Sequence, residues 1–284
     1  MEIRIRPFQN IIIKARDERI FAMNDYKLNG KVAVVTGAGQ GIGKAAAIAA
    51  ASSGADIVLC GRTMSKLEKA AEEIRALGVK ALPIQMDVTN YDDIEKTVQE
   101  AEKEFGHIDI LFNCAGVWKP SNLVDLTPEF WDSIMDINLK GAVFMSRAVA
   151  RHMIEKEIHG TIELISSQAG KIGEYGNSTY GASKSAMDAW CQAVALELAE
   201  YDINVVAVAP GFTYTEMLQD VYKKRGASLG KDPSVFEQEV NEQVPLKRMA
   251  KPEEIGSLMA YLASEDASYI TGVVITIAGG NITV

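Results

Sequence analysis

A tyrosine and a lysine stand four residues apart in "STYGASK", where the surrounding residues have the pattern of a helix. One helical turn places Tyr180 and Lys184 on the same face, and a nearby cation stabilises a phenolate. A free tyrosine has a pKa of about 10, so we expect Lys184 to lower the pKa of Tyr180 into a useful range. Gly181, Ala182 and Ser183 keep the surface between them small, which allows another group to approach closely. The pair therefore predicts a site for proton transfer.

A second chemical feature is the stretch "TGAGQGIG", which follows a strand-like run and precedes a helical one. Its glycines let the backbone turn sharply and approach a pyrophosphate, whose charge the N-terminus of the helix can accept. The spacing differs from G-x-G-x-x-G, and no G-K-[ST] follows it. The strand before and the helix after make a dinucleotide site the best interpretation. The residues expected to form it are Gly37, Gly39, Gln40, Gly41, Ile42 and Gly43.

The end of the second strand-like run indicates which dinucleotide is bound. A site for NAD presents an acidic residue there, to accept hydrogen bonds from the ribose hydroxyl. Here Gly61 occupies that place and Arg62 follows it, whereas Asp56 begins the strand at the opposite end. Arg62 is available to pair with a phosphate on the ribose, so NADP(H) is predicted over NAD(H).

Composition narrows the function classes. The chain has 284 residues, 48% of them hydrophobic, a formal net charge of -9 and a pI of about 5.0. This charge disfavours nucleic acid and anionic membrane surfaces as partners, and no apolar run approaches the roughly 20 residues of a bilayer span. Neither the cysteines nor the histidines have the spacing of a disulfide framework or a metal site. We expect a cytoplasmic protein without a metal; the residues concerned are Cys60, Cys114, Cys191, His107, His152 and His159.

Secondary structure follows from alternating patterns along the chain. Short β-branched runs alternate with longer stretches of helical periodicity, which predicts repeated βαβ units. The strands are continuously apolar, as in a parallel sheet covered on both faces. The predicted fold is a single α/β domain over residues 27–284, a Rossmann-type doubly wound sheet of seven strands. The predicted strands span residues 31–36, 56–60, 79–87, 108–113, 160–166, 204–209 and 272–277.

Two segments fall outside this rhythm. Residues 1–26 precede the first strand and are expected to be an extension, either disordered or an artefact of the start site. Met23 could be the natural start, and the rival interpretation is an arm that packs on a neighbouring subunit. Residues 212–245 form a charged insertion before the last strand, and we interpret them as a mobile lid.

Taken together, the motifs resemble those of the classical short-chain dehydrogenase/reductase family, from about Lys27 to the C-terminus. In order they are "TGAGQGIG", "MDVTN", "NCAG", "DINLKG", "ISSQAG", "STYGASK" and "APGFTYT". Two positions depart from the family pattern: Cys114 stands where a second asparagine is usual, and Ala278 where an aspartate is common. Both put local packing in doubt more than activity.

The resemblance implies specific roles. Tyr180 would exchange the proton, Ser167 would orient the substrate oxygen, Lys184 would also hold the nicotinamide ribose, and Asn138 would maintain a water relay behind the lysine. The cofactor would supply the hydride. Further cofactor contacts are expected from Asp87, Val88, Asn113, Ala115, Gly116, Pro210, Gly211, Thr213 and Thr215. A homo-oligomer, either a dimer or a tetramer, is also implied.

The substrate is less constrained by the sequence. Trp118, Gln168, Glu174 and Tyr175 are candidate lining residues, and the polar ones favour hydroxyl-bearing substrates over steroids or retinoids. The sequence is similar to polyol, sugar and acyloin dehydrogenases of the family, and also to 3-oxoacyl-thioester reductases. A sugar, polyol or small hydroxy-ketone is our first expectation, and a 3-oxoacyl thioester is the alternative, with Lys223, Lys224 and Arg225 as candidate contacts for an acyl carrier. A third hypothesis is a sensor that binds NADP(H) without turnover, although such a protein has no need of Tyr180.

Overall fold

The computed structural model describes residues 26–282 and, within residues 224–229, the backbone alone. The expected extension before residue 26 therefore lies outside the described residues, as do the side chains of Lys224 and Arg225.

A parallel sheet of seven strands forms the centre of the described chain, in the order β3-β2-β1-β4-β5-β6-β7. This confirms the predicted doubly wound fold. The first strand lies between β2 and β4, with Val34 level with Val58 on one side and with Leu111 on the other. The strands are β1 Val32–Thr36, β2 Asp56–Gly61, β3 Ala81–Gln85, β4 Ile110–Asn113, β5 Thr161–Ile165, β6 Asn204–Pro210 and β7 Val274–Ile277.

Helices cover both faces of the sheet because successive strand side chains point to opposite sides. Val35 belongs to the apolar core on one face of the sheet, whereas Val34 belongs to the core on the other face. The helices are α1 Gly41–Ser52, α2 Met64–Arg75, α3 Tyr91–Phe105, α4 Pro128–Met135, α5 Gly141–Glu155, α6 Ser178–Leu198, α7 Glu216–Leu229, α8 Pro233–Gln243 and α9 Pro252–Leu262. No described helix is both long enough and apolar enough to cross a bilayer.

The segment expected to be a lid contains α7 and α8, which follow β6. The two helices share a small apolar cluster, in which Tyr222 and Phe236 are buried against Met249. This cluster is separate from the two cores that flank the sheet. The insertion therefore has packing of its own, as a segment that moves as a unit requires.

The topology creates a crevice above β1. The chain leaves β1 toward β2, while β4 lies on the other side, and ligands of such sheets bind where the strand order reverses. The Thr36 hydroxyl holds the two strand ends together, accepting the N–H groups of Cys114 at 3.1 Å and Ala115 at 3.0 Å. The site is thus positioned by residues of the sheet itself.

Candidate active site

A cavity of about 450 Å³ opens at the carboxyl ends of the strands and gathers most of the predicted residues. Its lining comes from both halves of the sheet and from the start of α7. The predicted residues on its wall are Gly37, Gly39, Gln40, Gly41, Ile42, Gly43, Arg62, Asp87, Val88, Ala115, Gly116, Trp118, Ser167, Gln168, Glu174, Tyr180, Lys184, Pro210, Gly211, Thr213 and Thr215.

The glycine loop between β1 and α1 forms one end of this cavity. Gly37 has a left-handed backbone with φ of +68°, and a Cβ at Gly43 would lie 2.4 Å from the carbonyl oxygen of Gly37. A residue with a side chain therefore cannot replace Gly37 or Gly43 unless the loop moves. Gln40 precedes α1 and makes no side-chain capping hydrogen bond. The N-terminus of the helix is open to an anionic group, so the residues present fit a nucleotide pyrophosphate.

We expect Gly43→Ala to weaken NADPH binding by at least about tenfold, or about 1.4 kcal/mol, because the added methyl group displaces the backbone that faces the cofactor. Titration of nicotinamide fluorescence measures this change. Gly173→Ala is the control, since a Cβ at Gly173 meets no atom within 4 Å. Equal affinities for the wild type and Gly43→Ala would show that the loop does not hold the cofactor.

Two cations stand at the end of β2. Arg62 and Lys66 are exposed and line the cavity, and the Lys66 ammonium donates a hydrogen bond to the Gln40 side chain across it. A Cβ at Gly61 would meet only Leu67, at 3.4 Å, so the absence of a side chain there is not a steric requirement. Sequence reasoning identified Arg62 but missed Lys66, which lies four residues further on, in the first turn of α2.

The other residues that were expected to contact the nucleotide lie just beyond β3 and at the end of β4. Asp87 accepts hydrogen bonds from the N–H of Thr89 at 2.9 Å and from its hydroxyl at 2.8 Å. The backbone bond from Thr89 is the main reason that the pKa of Asp87 is lowered. Asn113 is buried and is not on the cavity wall; its amide donates to the Ser146 hydroxyl at 2.9 Å. Asn113 thus supports the end of β4 in this structure.

Tyr180 lies in the first turn of α6 and faces the cavity. The surrounding protein raises the pKa of its hydroxyl by desolvation, Ser167 lowers it through a hydrogen bond, and the charge of Glu174 raises it again. The expectation of a lowered pKa therefore does not describe this structure, because the effect of burial is larger. A raised pKa keeps Tyr180 protonated at neutral pH, which suits a group that donates a proton.

Lys184 is buried one turn along α6 from Tyr180. Its ammonium donates to the Ile165 carbonyl at 2.6 Å and lies 5.8 Å from the centre of the Tyr180 ring. Burial lowers the pKa of Lys184 to about 8. The carbonyl of Ile165 therefore directs the ammonium at the cavity wall, close to the tyrosine but not bonded to its hydroxyl.

Asn138 lies behind the wall, with no exposed surface. It sits in a π-helical turn, Asp136–Lys140, between α4 and α5. Its side chain accepts the N–H of Val117 at 2.8 Å and donates to the carbonyl of the same residue at 2.9 Å. Asn138 thus fixes the segment that follows β4, and π turns of this kind are frequent at functional sites.

The far end of the cavity carries polar side chains. Gln168 donates to Glu174 at 2.9 Å, and Asn177 donates to the other oxygen of Glu174 at 2.6 Å. Sequence reasoning missed Asn177, although its position directly before the helix of Tyr180 was a usable signal. Tyr175 is 94% exposed and is not on the cavity wall.

Comparisons with known proteins agree along most of the chain. The family model described as short chain dehydrogenase matches residues 31–226. The 3-oxoacyl-(acyl-carrier-protein) reductase of Thermotoga maritima is 36% identical over 255 residues, which are 89% of this chain and 98% of that protein. Galactitol 2-dehydrogenase of Agrobacterium fabrum is 36% identical over 255 residues, 90% of this chain and 98% of that one. The structure of L-sorbose reductase from Gluconobacter frateurii, complexed with NADPH and L-sorbose, gives a TM-score of 0.87 at 29% identity, covering 92% of this chain and all 100% of that one.

Proposed function

The chain belongs to the short-chain dehydrogenase/reductase family, and on that premise we propose an NADP(H)-preferring enzyme that interconverts a carbonyl and an alcohol on a small hydroxylated substrate. The observation that carries the proposal is that Tyr180, Ser167 and Lys184 line the same cavity as the glycine loop. A proton donor and a dinucleotide cradle in one cavity are what carbonyl reduction needs.

The bound cofactor supplies the hydride, and the protein positions the carbonyl and supplies the proton. Tyr180, held protonated by its raised pKa, donates to the oxygen as negative charge develops there. The Ser167 hydroxyl accepts the N–H of Ala169 at 3.2 Å, which orients it beside Tyr180. Lys184 places a positive charge next to the tyrosine, which stabilises the phenolate that remains after donation.

The preference for NADP(H) is supported by charge at the end of β2. No carboxylate occupies position 61, while Arg62 and Lys66 both reach the cavity wall. A guanidinium binds a phosphate through two parallel hydrogen bonds, which a ribose hydroxyl cannot match. The NADPH in the similar L-sorbose reductase structure is consistent with this proposal.

We expect the double variant Gly61→Asp and Arg62→Ala to reverse the cofactor preference toward NADH. The new carboxylate repels the ribose phosphate of NADPH and accepts a hydrogen bond from the ribose hydroxyl of NADH. In the wild type, Arg62 attracts the phosphate instead. The measurement is the ratio of kcat/KM for NADPH to that for NADH. Lys69→Ala removes a cation from α2, the helix that follows Arg62, at a position away from the cavity wall, and is the control. An unchanged ratio in the double variant would contradict the assignment.

The proposed substrate class follows from the polar end of the cavity. Gln168 is 4% exposed, and Glu174 is half-buried beside Tyr180. Burying these groups against an apolar substrate would cost free energy, whereas hydroxyl groups can satisfy them. Similarity to galactitol 2-dehydrogenase and L-sorbose reductase supports a polyol, a sugar or a small hydroxy-ketone.

Similarity to a 3-oxoacyl-(acyl-carrier-protein) reductase supports a second candidate, a 3-oxoacyl thioester. Its carrier would need a basic patch at the cavity mouth. Lys223 is exposed, but its ammonium lies 3.8 Å from Asp220, which offsets its charge. Among side chains that the structure describes, this part of α7 therefore favours the hydroxylated substrate.

Nicotinamide absorbance tests the proposal directly, with NADPH and NADH assayed separately against ketoses, diketones, acyloins and acetoacetyl thioester. We expect the highest kcat/KM for a ketose or an acyloin with NADPH. A preference for the thioester would support the second candidate, reduction of a 3-oxoacyl thioester, in place of the first. Tight NADPH binding without turnover on any carbonyl would indicate a cofactor sensor.

We also propose a homo-oligomer assembled through α6. The outer surface of this helix carries Leu196, whose side chain is 82% exposed in the isolated chain. A partner helix would cover such a surface. Light scattering of the purified protein gives the mass; a monomer at micromolar concentration would contradict this part of the proposal.

A further inference from the structure

We propose that Glu174 accepts a hydrogen bond from a substrate hydroxyl on the carbon next to the reacting carbonyl. The inference rests on the proposed function and adds the group that would select an α-hydroxy-ketone over a plain ketone. It is carried by a chain of hydrogen bonds that we call the polar wall, made of Trp118, Asn177, Glu174, Gln168 and Asn281.

The polar wall is continuous. The indole N–H of Trp118 donates to the Asn177 oxygen at 2.8 Å. The Asn177 amide donates to one oxygen of Glu174 at 2.6 Å, and the Gln168 amide donates to the other at 2.9 Å. Asn281, near the C-terminus, then donates to the Gln168 oxygen at 3.0 Å.

The direction of every bond in the wall is set by chemistry. An indole N–H can only donate, so the oxygen of Asn177 must face Trp118 and its amide nitrogen must face Glu174. A carboxylate can only accept, so Gln168 must also turn its nitrogen toward Glu174. The Gln168 oxygen is then left to accept from Asn281. Neither amide can flip without placing two like groups against each other.

The side chain of Asn177 takes part in the polar wall and does not form the N-cap hydrogen bond of α6. It stands at the N-cap of α6, where an asparagine side chain usually accepts from the backbone and contributes about 1 kcal/mol. In this structure it makes no capping bond. Its side chain bonds Trp118 and Glu174 instead. The orientation of Glu174 is therefore what the side chain of Asn177 maintains.

Because the donor and acceptor of each hydrogen bond in the polar wall are fixed, the wall presents hydrogen-bond acceptors to a ligand. A carboxylate has about four lone-pair positions, and the wall uses one on each oxygen of Glu174. The remaining positions accept hydrogen bonds, and Glu174 lies on the cavity wall. Tyr180 lines the same cavity, and the charge of Glu174 raises the pKa of its hydroxyl, so the two groups face a common space. A substrate hydroxyl one carbon from the carbonyl is the donor that fits between them.

The test compares acetoin with butanone, which differ by this hydroxyl, using NADPH and the full-length protein. We expect Glu174→Gln to lower kcat/KM for acetoin by about 10- to 100-fold, the loss typical of a hydrogen bond to a charged group. The loss of kcat/KM for butanone should be several-fold smaller than the loss for acetoin, because butanone makes no such bond. An equal loss on both ketones would overturn the inference.

A second readout is the pH profile with butanone. The charge of Glu174 raises the pKa of Tyr180, so Glu174→Gln should lower the apparent pKa of that tyrosine in kcat/KM. Glu174→Asp keeps the charge, so a profile that shifts with glutamine and not with aspartate separates the loss of charge from a change in the burial of Tyr180. An unshifted or upward-shifted profile would contradict the placement of Glu174 beside Tyr180.

Asn281→Asp tests the end of the polar wall that is farthest from Trp118. Asn281 does not line the cavity, so this substitution changes the polar wall without changing the cavity lining. A carboxylate there repels the Gln168 oxygen and favours a flipped amide, which would turn that oxygen against Glu174. We expect the acetoin-to-butanone ratio to fall by a factor of about 3 to 10, roughly the worth of one hydrogen bond, with NADPH affinity unchanged. A ratio equal to that of the wild type would show that the wall does not position Glu174.

The two levels of the proposal fail differently. A wild type that reduces no ketose, acyloin or plain ketone with NADPH or NADH overturns the proposed function and this inference with it. A wild type that reduces acetoin, paired with a Glu174→Gln variant of unchanged ratio, overturns only the inference.

Discussion

Replacing Tyr180 with phenylalanine should lower kcat by about 10²–10⁴-fold while leaving the dissociation constant of NADPH within about twofold. Only the hydroxyl is lost, and the aromatic ring at this position in the first turn of α6 is kept. Without it the developing oxyanion loses the proton donor that we assign to it, and Lys184 keeps its hydrogen bond to the Ile165 carbonyl. Single-turnover oxidation of NADPH measures the chemical step separately from binding.

The chain offers a matched control for this variant. Tyr175 lies five residues earlier, on the loop that precedes α6, and is 94% exposed, away from the cavity wall. Tyr175→Phe should keep the wild-type kcat. A Tyr180→Phe enzyme with near-normal kcat would refute the assignment of the proton donor, because no other tyrosine lines the described cavity.

Replacing Glu163 with methionine should stabilise the protein at neutral pH by about 1–3 kcal/mol, which is the cost of an unsatisfied buried polar group. Glu163 lies in β5, level with Phe112 and Val206 of the neighbouring strands. It has no exposed surface, and neither of its oxygens has a hydrogen-bond partner within the described residues. The methionine side chain has a similar volume to that of glutamate and does not need a hydrogen-bond partner when it is buried.

The gain should depend on pH. Burial raises the pKa of Glu163 well above its ordinary value, so the folded protein keeps this proton while the unfolded chain loses it. Stability contributed by the protonated form is complete below the unfolded pKa of about 4.3 and is lost as pH rises toward the folded pKa. The difference between Glu163→Met and the wild type should therefore grow from pH 4 to pH 8.

Denaturant unfolding at several pH values measures this difference, with Glu72→Met as the control at an exposed position of α2. We expect the control to change stability by less than about 0.5 kcal/mol, as at most surface sites. A Glu163→Met protein that is less stable than the wild type at pH 8 would show that the carboxyl makes a favourable interaction in the fold.

The sheet could be predicted from the sequence because its signals are local. Continuous apolar runs such as Val32–Thr36 alternate with helical periodicity, and both patterns report burial on a scale of one element. The glycine loop was equally accessible, since its position after a strand and before a helix is visible in the sequence. The end of β2 was accessible for the same reason: Gly61 ends the strand and Arg62 directly follows it.

The rest of the site depends on contacts between distant residues. Asn281 reaches Gln168 across 113 positions, and Trp118 reaches Asn177 across 59, so no local pattern could indicate the polar wall. The raised pKa of Tyr180 has the same origin. Helical spacing predicts the charge of Lys184 nearby, but burial depends on how the whole cavity closes. The carboxyl of Glu163 is likewise invisible to periodicity, because a single polar residue does not interrupt an apolar strand.

The most direct test of the account is transfer of deuterium. The protein is incubated with acetoin and with NADPH deuterated at both positions of nicotinamide C4, and the alcohol product is analysed by mass spectrometry. The account predicts one deuterium on the former carbonyl carbon, and at least about 100-fold less of this product with Tyr180→Phe over the same time. NADPH that binds and yields no deuterated alcohol from acetoin or from any ketose would contradict the central claim.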